Sequence, residues 1–198
     1  MKKTVLALVT LICLSTAVNA QTGSILLYGN IGFNTNSNGG VNDAINASGP
    51  GSKGSFYINP GVGYQFNKAW TAGVEGGYNY ADNGTYITKD YSAGAFLRYS
   101  QHIAGVFSAY EQLGLGYQGA SEATGTINGI ETQKFTGFYA HIIPTIYADI
   151  KNGFGLNFSV GGLEYSSFKP TGGQTSSTFG LTFGKQPTIG LSKNFGGK

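Results

Sequence analysis

Glu75, Arg98, His141 and Asp149 are the residues of this chain best placed to share chemistry. Each lies in a segment where apolar residues recur at every second position, and each falls on the small, polar side of that alternation. Counted back from a hairpin tip within Asp82–Asp90, Glu75 and Arg98 come within about two residues of register on neighbouring strands, in reach of a diagonal contact. Such a pair can serve as a structural ion pair that plugs an interior, or it can line a gated path for ions. His141 and His102 are the two histidines. A histidine-dependent hydrolase needs a nucleophile and an orienting carboxylate in reach, and no motif ties His141 to one, so no catalytic residue is assigned. Two separated histidines give none of the usual metal-ligand spacings, so no metal or cofactor site is assigned. Gly161-Gly162 and Gly172-Gly173 have no helix after them to complete a phosphate cradle.

The elements that must position these residues have a period of two. From Phe56 to Phe66 the even positions are Phe, Ile, Pro, Val, Tyr and Phe, and the odd ones Tyr, Asn, Gly, Gly and Gln. Similar alternation begins at Ile25, Trp70, Tyr91, Phe138, Phe154 and Phe179, with a less regular stretch from Gly105 to Tyr117. Eight strands follow from this pattern. Helices are disfavoured because Gly recurs every few residues, each costing about 1 kcal/mol in a helix interior. The expected links are long at Asn34–Gly54, short at Asn67-Lys68, moderate at Asp82–Asp90, short at Gln101–Ala104, long at Gln118–Lys134, short at Lys151-Asn152-Gly153 and long at Ser167–Ser177. Long and short therefore alternate, as in barrels that span a membrane.

Composition narrows the class further. Charged residues are 11% and aromatic residues 14% of the chain, the reverse of a disordered composition. The net charge of +3 is too small and scattered to mark a nucleic-acid partner. Lys2 and Lys3, the apolar stretch Val5–Val18, and Val18-Asn19-Ala20 before Gln21 read as a cleaved signal peptide over residues 1–20. Cys13 lies inside it, and Ile12 before it is too large for a lipoprotein site. Residues 21–198 are expected to form one domain, without disulfides.

Orientation follows from volume. Eight strands enclose a lumen just wide enough for side chains. Gly, Ser, Thr and Asn suit that space, and the Phe, Tyr, Trp, Ile and Leu face is too bulky for it. The expected fold is therefore all-β, an eight-stranded antiparallel up-and-down transmembrane β-barrel with its oily face towards lipid. Phe56, Phe66, Trp70, Tyr80, Tyr91, Tyr99 and Phe195 fall near strand ends, where aromatic girdles sit. Three charges break parity. Glu111 shares the face of Leu113 and Leu115, which predicts either a bulge near Tyr110 that resets the register or a place at the membrane interface. Glu164 and Lys185 break parity towards the outer strand ends, where charge is tolerable.

The signal peptide, the alternating strands and the final stretch Pro187-Thr188-Ile189-Gly190-Leu191-Ser192-Lys193-Asn194-Phe195 together resemble the small outer-membrane β-barrel domain family, which includes OmpX, OmpW and the membrane domain of OmpA. The resemblance implies a Gram-negative cell outer membrane as location. It also implies outer-membrane lipids and, during insertion, the barrel-assembly machinery as partners. In that family the last strand typically ends in an aromatic residue; here Gly196-Gly197-Lys198 follow Phe195. The expected role is non-catalytic, structural or an interaction through the outer loops. The alternatives are a narrow channel or carrier for small or hydrophobic solutes, and a lipid A-modifying barrel enzyme.

Overall fold

A computed structural model describes residues 23–36, 53–84, 86–126 and 129–196; the expected signal peptide and its cleavage site lie outside the described residues. Eight antiparallel strands follow one another: β1 (Ser24–Asn36), β2 (Lys53–Gln65), β3 (Trp70–Asp82), β4 (Tyr86–Ala104), β5 (Phe107–Thr126), β6 (Gly129–Lys151), β7 (Phe154–Pro170) and β8 (Ser176–Phe195). Each pairs with the next, and β8 pairs with β1 to close the barrel.

The alternation is realised with the bulky side chains outside. Phe33, Val74, Phe138, Leu181 and Phe183 are all exposed, at 62–81%. Among the described residues the buried hydrophobic side chains are Leu26, Phe96 and Tyr110 alone. Ser24, Thr71, Arg98, Gln112, Thr145, Asn157 and Ser192 are buried as well. A water-soluble barrel reverses this arrangement. Trp70 and Tyr99 pack at 4.9 Å between ring centres near one rim. Tyr117 and Phe138 meet edge to face at 5.9 Å, farther along the wall.

Three tight turns lie at the rim that also holds Gly23 and Gly196, hereafter the turn end. Asn67 Oδ1 accepts from the backbone N–H groups of Ala69 and Trp70, both at 2.8 Å. Gly105, with φ +57°, turns β4 into β5. Asn152 and Gly153, with φ 54° and 76°, join β6 to β7. Two consecutive left-handed residues are what a two-residue hairpin of matching twist requires.

At the opposite, distal end several expected loops are strand. β4 starts at Tyr86, β5 runs to Thr126 and β6 starts at Gly129, so most of Asp82–Asp90 and Gln118–Lys134 is paired sheet. Ser167–Ser177 shrinks to residues 171–175; at the turn end, Gln101–Ala104 belongs to β4. The regular alternation of long and short links does not hold: the β3–β4 link is residues 83–85, and the β2–β3 turn is residues 66–69. Where both faces meet water the hydrophobic alternation lapses, while the backbone ladder continues. The middle of the Asn34–Gly54 link lies outside the described residues.

The parity exceptions resolve differently from one another. No bulge occurs near Tyr110; β5 runs in unbroken register from Ser108 to Thr124, with Tyr110 and Gln112 inside. Glu111 points outward opposite Tyr99, at the level of the Trp70–Tyr99 pair, which rules out the reset register and leaves the interface expectation. The bulge is on β7. Between Ile142↔Leu163 and Thr145↔Ser159 the β6–β7 register shifts, and Gly161 there has φ +124°. That extra residue flips β7, so Glu164 points into the lumen opposite His141. The side chain of Lys185 lies outside the described residues.

A Cβ on Gly161 would sit 2.1 Å from the carbonyl oxygen of Thr182, at a backbone angle that side chains rarely adopt. Gly161→Val is expected to lower unfolding stability by about 1–3 kcal/mol in urea titrations of the folded barrel. Gly180→Ala, where a Cβ meets open space, should change it by less than about 0.5 kcal/mol.

Candidate functional site in the barrel lumen

Glu75 on β3 is the hub of the interior. Its Oε2 accepts from Tyr28 Oη at 3.2 Å and Gln112 Nε2 at 2.8 Å. Its Oε1 accepts from Tyr139 Oη at 2.9 Å and lies 3.4 Å from His141 Nε2. The carboxylate is thus reached from β1, β5 and β6. His141 Nε2 is buried and makes no hydrogen bond of good geometry, and its ring stacks on Tyr139 at 5.6 Å.

Arg98, 4% exposed, lies nearer the turn end. Its Nε and Nη2 donate to Gln112 Oε1 at 3.1 and 2.7 Å. Its guanidinium lies 3.9 Å from the ring centre of Tyr110, 4.6 Å from Tyr28 and 5.7 Å from Phe96. Desolvated cation–π contacts of this kind contribute about 2 kcal/mol.

The expected direct Glu75–Arg98 ion pair does not form. Glu75 pairs with Gly94 and Arg98 with Thr71, four positions apart in register, because the β3–β4 turn is centred on residues 84–85, before the middle of Asp82–Asp90. Gln112 spans the gap. Its amide oxygen faces the cation, and its nitrogen faces the carboxylate and also donates to Tyr28 Oη at 2.7 Å. Of the four lumen-parity ionisable residues, Glu75, Arg98 and His141 join one network. Asp149 is exposed near the β6–β7 turn, outside the network, and His102 is exposed at the turn end of β4.

Tyr28, Gln112, Tyr139, Phe96 and Tyr110 are the members that pattern reading passed over. A signal for two of them was available in the glycines. A Cβ on Gly61 would fall 2.2 Å from the Tyr28 ring, and one on Gly94 would fall 2.3 Å from Tyr139 Oη. At Gly114 a Cβ would meet both Glu75 Oε1 and His141 Nε2 at 2.4 Å. Glycines of lumen parity beside a large polar residue on the next strand therefore mark where the network passes.

Every buried side chain named above lies in the half of its strand nearest the turn end, where Leu26, Phe96, Tyr110 and the Arg98–Gln112 pair fill the cross-section. A cavity of about 500 Å³ runs from Tyr110, Thr145 and Asn157 past Glu75 to Asn30, Asn59, Gln118, His141 and Glu164. The interior is a cup, closed at the turn end. Among the described residues no three His, Asp or Glu side chains cluster as metal ligands.

This architecture is that of an outer-membrane β-barrel. The chain shares its fold with neisserial surface protein A (NspA), with a TM-score of 0.52 and 14% identity over 89% of this chain and 98% of that one. Looser likenesses, at TM-scores of 0.46 and 0.42, link it to two further proteins. One is the translocator domain of the autotransporter NalP from Neisseria meningitidis, with 13% identity over 96% of this chain and 65% of that one. The other is Ail, the attachment invasion locus protein of Yersinia pestis, with 16% identity over 88% and 99%. No protein-family model and no curated protein sequence matches the chain.

Removing the linking amide should strand both charges. Gln112→Leu is expected to lower stability by about 2–4 kcal/mol in urea unfolding, since it leaves a buried guanidinium without its acceptor. A double-mutant cycle pairing it with Glu75→Gln should give a coupling energy of more than about 1 kcal/mol.

Proposed function

We propose that this chain is an integral protein of a Gram-negative outer membrane, with its turn end at the periplasm and its distal strand extensions outside the cell. The observation that carries this reading is the closed barrel with apolar side chains outward and a hydrogen-bonded polar interior. Exposed apolar patches beyond a few hundred Å² call for a partner in water, and this apolar belt surrounds the barrel. Closure gives most backbone groups internal partners, which lipid demands. Outer-membrane lipids are then its constant neighbours, and insertion passes through the barrel-assembly machinery.

The role we infer is non-catalytic. The groups around His141 are Glu75, Tyr139 and Glu164, and among the described residues no serine or threonine hydroxyl is hydrogen-bonded to it, which favours a structural use of the histidine over a lipid A-modifying reaction. The packed half around Arg98 and Tyr110 argues against a conducting path. The part presented to other molecules is the distal end, where β5 and β6 pair from Ser121↔Lys134 to Thr126↔Gly129 and β6 extends past its last partner on β7. An unpaired strand edge in water offers main-chain donors and acceptors to an extended segment of a partner. This supports an interaction role.

In phosphatidylcholine vesicles the folded chain should resist extraction by carbonate and migrate differently on gels before and after heating. In planar bilayers it should show no stepwise conductance. Recovery in the aqueous fraction would refute membrane residence, and steady conductance steps would refute the closed interior. Val74→Arg, in the middle of the belt, should cost about 2–4 kcal/mol of folding stability in vesicles, whereas Glu111→Arg at the girdle should cost less than about 1 kcal/mol.

A further inference from the structure

Among the described residues the shortest run of backbone pairing between neighbouring strands is the seam of β1 and β8. β1 pairs with β2 along its full length, from Ser24↔Gln65 to Asn36↔Lys53. With β8 it pairs only from Ile25↔Phe195 to Gly29↔Leu191. Farther from the turn end, β1 continues as Asn30–Asn36 and β8 as Ser176–Gly190, and among the described residues neither pairs with the other.

The unpaired stretch of β8 contains a proline and a register shift. Pro187 has no N–H to give. It ends a four-residue stretch, Gly184–Pro187, that lies between the pairs Gly161↔Phe183 and Ser159↔Thr188 and shifts the β7–β8 register. Gly184 there has φ +74°.

Unpaired backbone facing hydrocarbon costs several kcal/mol per group and persists only where it lines water or protein. At the start of the gap it lines the cavity: Asn30 of β1, and Thr188 and Gly190 of β8, stand in its wall beside the last paired residue, Gly29. The two sides of the opening have opposite chemistry. Outside stand Ile31, Phe33, Phe183 and Ile189, each 64–81% exposed. Inside are Asn59, Gln118 and the two carboxylates Glu75 and Glu164. Glu75 is saturated by Tyr28, Tyr139 and Gln112. Glu164 makes no hydrogen bond or ion pair among the described residues. A free carboxylate in a cavity behind an apolar cleft complements one kind of ligand, an alkyl chain that ends in a cation.

We propose that the β1–β8 seam is a lateral opening through which a membrane amphiphile with an amine head group enters the lumen. Its head lies against Glu164 and its chain rests between Ile31 and Phe33 on one side and Phe183 and Ile189 on the other. This rests on the membrane reading above and names what its lumen takes.

The test uses the folded chain in phosphatidylcholine vesicles and a photoreactive dodecylamine whose diazirine sits beside the amine. Two matched probes accompany it, a dodecyl phosphate and a short, water-soluble amine carrying the same diazirine. Dodecylamine should label the peptides that contain Asn30, Asn59 and Thr188. Glu164→Gln should cut that labelling by about fivefold, roughly 1 kcal/mol of binding, while labelling of the Val74 and Leu97 peptides and the heat-dependent gel mobility stay unchanged. Equal lumen labelling by dodecyl phosphate would overturn the amine assignment. Equal labelling by the short amine would overturn lateral entry in favour of the open distal end. Labelling confined to the outer belt of an inserted barrel would overturn the opening and leave membrane residence standing; failure to insert would overturn both.

Discussion

The requirement that each backbone N–H and C=O find a partner without help from solvent governs this molecule. A strand with one oily and one slim face can be stable in a bilayer only inside a closed ladder. Closing eight strands leaves a lumen that side chains alone can fill. From that constraint follow the Gly- and Ser-rich inner face, the outward Phe and Leu residues, and the tight turns that keep neighbouring strands in register. The largest departure from it is at β1 and β8, which separate beyond Gly29↔Leu191, where Asn30, Thr188 and Gly190 line the cavity.

Filling the lumen brings an electrostatic problem of its own. A carboxylate and a guanidinium buried in a narrow interior are costly unless every lone pair and proton is engaged. The barrel answers with geometry. Tyrosines on β1 and β6 reach Glu75 over neighbouring glycines, and Gln112 connects it to an arginine four register positions away. Aromatic faces cover the rest of the guanidinium. The polar contacts run across the lumen as well as around the wall, so the network braces the barrel against flattening. A cup results, packed at the turns and hollow from Tyr110 and Asn157 onwards.

Strand number, parity and the outward direction of the bulky face were legible in the sequence because period two is a local property and lumen volume is a matter of arithmetic. The lumen positions of Glu75, Arg98 and His141 were legible for the same reason. Register was not. The difference between a hairpin tip centred on the middle of Asp82–Asp90 and one centred on residues 84–85 moves Arg98 along β4 relative to β3, and neither placing leaves a mark on the alternation. Gln112 and Tyr139 became partners of Glu75 only once three strands had taken their stagger.

Glu164 shows the same limit from the other side. Parity counted along β7 placed it on the oily face, and one inserted residue at Gly161 turned it inward. A glycine-rich stretch permits such a bulge without announcing it, since Gly161-Gly162 reads equally well as unbroken strand. The sequence by itself determined what each face is made of, because side-chain chemistry alternates with the pleat. Only the tertiary structure decided which residues on the inner face meet, because stagger, bulges and the length of the β1–β8 seam are set by hydrogen bonding between segments far apart in the chain.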